Sequence, residues 1–129
     1  MVYWQVMTKN ILIAEDDPVL RDVYVRKFGS SPEFTIRTAS NGEEALKMIG
    51  EQNPDVLLLD LNMPVLDGFG VLEKFPTKDK RPFKVIILTN FEDQQNRRKG
   101  EEFQVDDYFV KKEMTIKSLY EMVEKALSA

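Results

Sequence analysis

Five short apolar runs, rich in branched residues and separated by stretches of helical period, set the tightest limit on what this chain can fold into. Residues 11–14, 34–37, 56–59, 85–88 and 108–110 read as strands. The first, third and fourth are apolar at nearly every position, which suits parallel strands covered on both faces rather than a sheet with one wet side. The intervening helices have recognisable starts. Asp17 stands before Pro18, a capping carboxylate ahead of a proline at the first helical position. Asn41 is followed three residues on by Glu44, as in a capping box. Thr115 caps a last helix in which Ile116, Leu119, Tyr120, Val123 and Leu127 form one apolar stripe. Strand and helix alternating five times imply right-handed crossovers and an α/β fold, a doubly wound five-stranded parallel sheet with helices on both faces.

The length of 129 residues suits one domain, placed at residues 10–129, with residues 1–9 as a leader outside the pattern. That leader reads equally as a strand extension, an upstream start site or a vector-derived remnant. A net charge of −4 and pI near 5.0 argue against binding to nucleic acid or a membrane surface, which would need a basic face. No apolar run is long enough to span a bilayer and no signal peptide stands out, so the expected location is the cytoplasm. Cysteine and histidine are both absent. That removes disulfides, thiol chemistry, and every imidazole acid, base or metal ligand, leaving carboxylate, lysine and hydroxyl chemistry.

In an open α/β sheet the ligand site lies beyond the carboxyl ends of the strands. Four strand ends here carry polar residues: Glu15-Asp16-Asp17 after the first, Asp60 after the third, Thr89 after the fourth and Lys111 after the fifth. Carboxylates gathered on one rim repel and raise one another's pKa, and a hard cation such as Mg²⁺ relieves the repulsion. Such a rim suits phosphoryl transfer, with Asp60 as nucleophile, Lys111 neutralising the phosphoryl oxygens and the Thr89 hydroxyl donating to one of them. Each residue alone has an ordinary reading: a turn carboxylate, a solvated helix start, a β-forming threonine, a solvated lysine. All four falling at strand ends on one rim is what sets them apart from these ordinary readings.

The motifs ILIAEDD, PDVLLLDLNMPVLDG, VIILTN and DDYFVKK resemble those of receiver domains of bacterial two-component response regulators, from residue 10 onward. The stretch 54–68 is the most specific, with the acceptor Asp followed by Met-Pro and Asp-Gly. The resemblance implies a flavodoxin-like strand order of 2-1-3-4-5. It makes Asp60 the phosphoacceptor and Asp16 a direct Mg²⁺ ligand, with Glu15 acting at the metal through water and Asn62 offering its backbone carbonyl; Asp17 is left as a helix cap. It makes Thr89 and Tyr108 the switch pair and Lys111 the phosphate-binding cation. The implied donor is a phosphohistidine on a histidine kinase or histidine phosphotransfer protein in trans, and the implied domain is no general enzyme, acting only on its own phosphorylation and dephosphorylation. Three positions depart from the family pattern: Lys112 where proline usually follows the lysine, Asn90 where a smaller residue follows the threonine, and Gln104 where glycine usually precedes the fifth strand.

Two rival readings are a pseudo-receiver binding module and a haloacid-dehalogenase-type phosphatase. The first is opposed by the complete set of site residues. The second lacks the acid two residues after the nucleophile, where Asn62 stands. The chain reads as either a stand-alone, chemotaxis-regulator-like protein or a receiver cut from a longer one. Its expected output is a surface of the fourth helix, fifth strand and fifth helix that binds a downstream protein or a second copy, with no nucleic acid bound by this domain and no membrane. The fourth helix, near residues 92–103, is expected to be the loosest element: polar almost all round, anchored by Phe91 and Phe103, and weakened by Gly100. Arg97, Arg98 and Lys99 read as its solvated face. The ring of Tyr108 is expected to favour the outside until Asp60 is phosphorylated.

Overall fold

The computed structural model describes residues 8–90 and 93–128. Strands β1 (Lys9–Ala14), β2 (Phe34–Ala39), β3 (Val56–Asp60), β4 (Lys84–Thr89) and β5 (Asp107–Val110) alternate with helices α1 (Pro18–Gly29), α2 (Gly42–Glu51), α3 (Gly68–Leu72), α4 (Gln94–Glu102) and α5 (Ile116–Ser128). All pairings are parallel and the sheet order is β2-β1-β3-β4-β5, as the sequence resemblance implied. Most of the leader lies outside the described residues; Lys9 already belongs to β1.

The sheet's apolar runs separate by the period of two into opposite faces. Ile11, Ile13, Val56, Leu58, Ile86, Leu88 and Phe109 face α1 and α5, where they meet Tyr24, Phe28, Leu119 and Val123. Leu12, Ala14, Leu57, Leu59, Val85, Ile87 and Tyr108 face the other way, onto Ala45, Ile49, Phe69 and Leu72 of α2 and α3. Burial on both faces is what required strands without polar alternation.

The caps form largely as the sequence predicts. Asp17 accepts from the amides of Val19 and Leu20, and Thr115 Oγ1 accepts from Ser118 at 3.1 Å. Asn41 Oδ1 accepts from the Glu44 amide at 2.8 Å, but Glu44 returns one residue early, taking the Ser40 amide at 3.2 Å rather than that of Asn41. The capping box is therefore shifted by one residue. Phe91 and Glu92 lie outside the described residues, and α4 is capped by Asp93.

Candidate functional site

Register explains why the four strand ends meet. Ala14 pairs with Leu59, so Glu15 lies beside Asp60; Asp60 pairs with Leu88, putting Thr89 one step beyond; Thr89 pairs with Val110, so Lys111 follows. Glu15, Asp60 and Thr89 are buried, whereas Asp16 is exposed. One carboxylate oxygen from each of Glu15, Asp16 and Asp60 lies within 4.8 Å of the other two. Three hard oxygen donors at this spacing fit Mg²⁺.

Lys111 sits deep in this cluster. Its Nζ lies 2.6 Å from Glu15 Oε1 and 3.4 Å from Asp60 Oδ1, with the side chain 7% exposed. Glu15 Oε1 makes no hydrogen bond of good geometry, so the ammonium's charge is its main compensation. Asp60 is held by the Asn62 amide, 3.1 Å from Oδ1, while the Asn62 side chain is exposed. Burial, followed by a hydrogen bond with Glu15 and that residue's charge, raises the Asp60 pKa from 3.8 to about 8; Lys111 and the Asn62 amide pull it back only in part. The buried Tyr24 phenol on α1 is a neighbour the sequence gave no reason to expect: burial first, and the charges of Glu15, Asp60 and Asp17 next, raise its pKa.

The Met-Pro and Asp-Gly parts of the stretch 54–68 have local physical reasons. A Cβ on Gly68 would stand 2.5 Å from the Asp60 carbonyl oxygen, so only glycine lets α3 start against the end of β3. Asp67 caps that helix, accepting from Gly70 at 2.8 Å. Between them the chain reverses in a γ-turn, with Leu66 donating to Pro64 O at 2.7 Å and Val65 at φ 70°. Gln104, at φ 57°, adopts the left-handed conformation that explains why glycine is usual there. No cis peptide bond occurs among the described residues, so Lys111–Lys112 is trans.

Tyr108 is packed between the sheet and α4. Its ring is 8% exposed and lies inward on the α4 side, where its hydroxyl donates to Arg97 O at 2.8 Å. The room comes from Gly100, because a Cβ there would stand 1.5 Å from Tyr108 Oη. Gly100 is thus a point of close packing as well as a helix weakener. Nor are Arg97 and Lys99 merely solvated: the Arg97 guanidinium lies 4.6 Å from the Tyr108 ring centre and Lys99 Nζ 4.7 Å from that of Phe69. A cleft lined by Lys9, Asp55, Arg81, Lys84 and Leu127 contains none of the predicted site residues and belongs to the opposite, amino-terminal edge of β1 and β4.

Residues 11–124, which include every one of these site positions, match the response regulator receiver domain. The chain belongs to that family. The receiver is 36% identical over 105 residues to the transcriptional regulatory protein SrrA of Staphylococcus aureus, covering 81% of this chain and 42% of that protein. It is 37% identical over 103 residues to the probable transcriptional regulator ycf27 of Guillardia theta, covering 80% of this chain and 39% of that protein. A crystal structure of a DNA-binding response regulator of the LuxR family from Staphylococcus aureus superposes with a TM-score of 0.84 at 35% identity, covering 92% of this chain and 98% of that one. The receiver domain of the Francisella response regulator 1452 gives a TM-score of 0.84 at 30% identity, covering 94% and 98%. These likenesses correct the expectation of an output confined to a protein target or homodimer, with no nucleic acid. The relatives are named transcriptional regulators, and one is described as DNA-binding. The receiver spans about two-fifths of the length of these two curated relatives, so its acidic charge is no guide to the remainder of such a protein. Among the described residues no helix is long and apolar enough to cross a membrane.

Proposed function

We propose that this receiver accepts a phosphoryl group onto Asp60 from a phosphohistidine on a partner protein, and that the acyl phosphate resets the surface of α4, β5 and α5. The observation that carries this reading is the packing of a buried lysine, Lys111, against Asp60 and Glu15 at the carboxyl edge of the sheet, with Asp16 alongside. Asp60, as the carboxylate, supplies the electron pair for the new P–O bond while the P–N bond breaks and the imidazole leaves with the P–N bonding pair. Lys111 is placed to leave Glu15 for a phosphoryl oxygen, and the Thr89 hydroxyl to donate to another. Glu15, Asp16, Asp60 and the Asn62 carbonyl would hold Mg²⁺, which when bound offsets the negative charge of the transferring group. The domain acts only on itself, gaining and losing its own phosphoryl group. The names of its relatives point the output toward control of transcription.

The test is incubation with acetyl phosphate and Mg²⁺, followed by intact-protein mass. The wild type should gain one phosphoryl group, labile to hydroxylamine, and Asp60→Asn none, because an amide of the same shape is a poor nucleophile. Labelling of Asp60→Asn at the wild-type rate would remove the assignment. A wild type that gains nothing would indicate a pseudo-receiver, and turnover without an adduct a phosphatase.

A further inference from the structure

We infer that Gly100 is a positioning residue of the switch: the missing side chain at this one point of α4 forms the socket that holds Tyr108 inward. The inference rests on Asp60 being the phosphoacceptor and adds a determinant on α4. Ile87 pairs with Tyr108 across β4 and β5, and both face the α4 side of the sheet. Thr89 lies two residues beyond Ile87 and therefore points to that same face, one diagonal step from Tyr108. The other wall of the tyrosine's space is α4 itself. A Cβ at Gly100 would stand 1.5 Å from Tyr108 Oη, 2.5 Å from its Cζ and 3.2 Å from Ile87 Cδ1. The two separations to the ring are far below any real Cβ contact, whereas Ile87 Cδ1 need give only slightly. The ring and a side chain at position 100 therefore exclude each other unless the helix moves away from the sheet.

The socket is also closed on its polar side. Tyr108 Oη donates to Arg97 O at 2.8 Å, with Asn96 O farther off at 3.4 Å. The Arg97 guanidinium lies over the ring at 4.6 Å from its centre. In the inward position Tyr108 has a hydrogen bond and a cation–π contact, both with Arg97 on α4. The same contacts tie the middle of α4 to β5, so ring position and helix position are one variable. Whatever phosphorylation does at Thr89 then acts on an equilibrium whose other end is set by the size of residue 100.

Gly100→Ala tests this. In aromatic NMR spectra with 13C-labelled tyrosine, assigned with Tyr108→Phe, the Tyr108 ring should become exposed to a paramagnetic cosolute in the variant and stay protected in the wild type. A titration with beryllofluoride and Mg²⁺, beryllofluoride standing in for the phosphoryl group, should show a midpoint weakened by roughly tenfold or more. In Gly100→Ala/Tyr108→Ala the alanine at 100 should cause no further weakening beyond Tyr108→Ala alone, because the ring it would clash with is gone and Ile87 Cδ1 need give only slightly. If Gly100→Ala does not fold, recovery of the fold in the double variant supports the socket, and its absence overturns it. A protected ring with an unchanged midpoint in Gly100→Ala also overturns it, while leaving Asp60 as acceptor intact. Failure of wild-type beryllofluoride binding would instead strike the acceptor reading itself.

Discussion

Val65 and Gln104 both hold a left-handed backbone that glycine adopts without strain, at φ 70° and 57°, yet removing their side chains should have different consequences. Val65 is β-branched and 73% exposed, so its side chain has little packing to lose. Val65→Gly should raise stability by about 1 kcal/mol, the relief of strain outweighing the greater freedom glycine has when unfolded. Gln104 also brings a hydrogen bond, its Oε1 accepting from the Lys78 amide at 3.0 Å. Its replacement by glycine should therefore change stability by less than about 0.5 kcal/mol, strain and hydrogen bond nearly cancelling. Urea melts of the two variants check the pair. A gain at Gln104 as large as that at Val65 would show that the Lys78 hydrogen bond contributes nothing.

Among the elements, α4 is the one held by discrete contacts rather than by an apolar stripe. Its only buried residue is Gly100. Tyr108 holds its middle, and Phe103, just beyond its end, stacks on Phe69 with ring centres 6.0 Å apart. Its carboxyl end depends on Arg81, a buried guanidinium that donates to Phe103 O at 2.8 Å, Gln104 O at 2.7 Å and Phe75 O at 3.0 Å. A cation on the terminal carbonyls of a helix also meets the negative end of its dipole. In the wild type, amides of α4 should exchange faster than those of α5, whose Leu119 and Val123 are fully buried. Arg81→Ala should strip three carbonyls of their donor and cost about 3 kcal/mol. Its added exchange should concentrate around residues 99–104 and spare the first turn, which Asp93 caps. Uniform acceleration along α4 would mean that Arg81 supports the whole helix and not its end.

For the molecule as a whole, the sheet and its rim were legible because burial on both faces leaves parallel strands no polar alternation, and the fold places the residue after each strand at one edge. Asp60, Glu15, Thr89 and Lys111 could be found by that rule. Tyr108 on Arg97 O, Arg81 on Phe75 O and the space at Gly100 could not, since each depends on how closely two elements approach, which no local pattern encodes. The predicted crowding of charge does have a consequence for stability. The folded Asp60 pKa of about 8 stands above its ordinary 3.8, so the folded state binds the proton more tightly than the unfolded chain. This contribution is fully present below the ordinary value and is lost as pH rises through about 8. Metal-free protein should therefore melt progressively lower across that window, with Asp60→Asn removing much of the slope. Mg²⁺ takes over the proton's role in offsetting the carboxylates, so it should stabilise most at the alkaline end. The gain should reach about 2.7 kcal/mol at a hundredfold excess over its Kd and shrink as the pH falls and protons compete. Calorimetric scans from pH 5 to 9, with and without Mg²⁺, test both halves of the argument (the range is roughly that of the expected titration). A Mg²⁺ effect that is absent, or equal at both ends of the range, would mean that the three carboxylates do not share one cation.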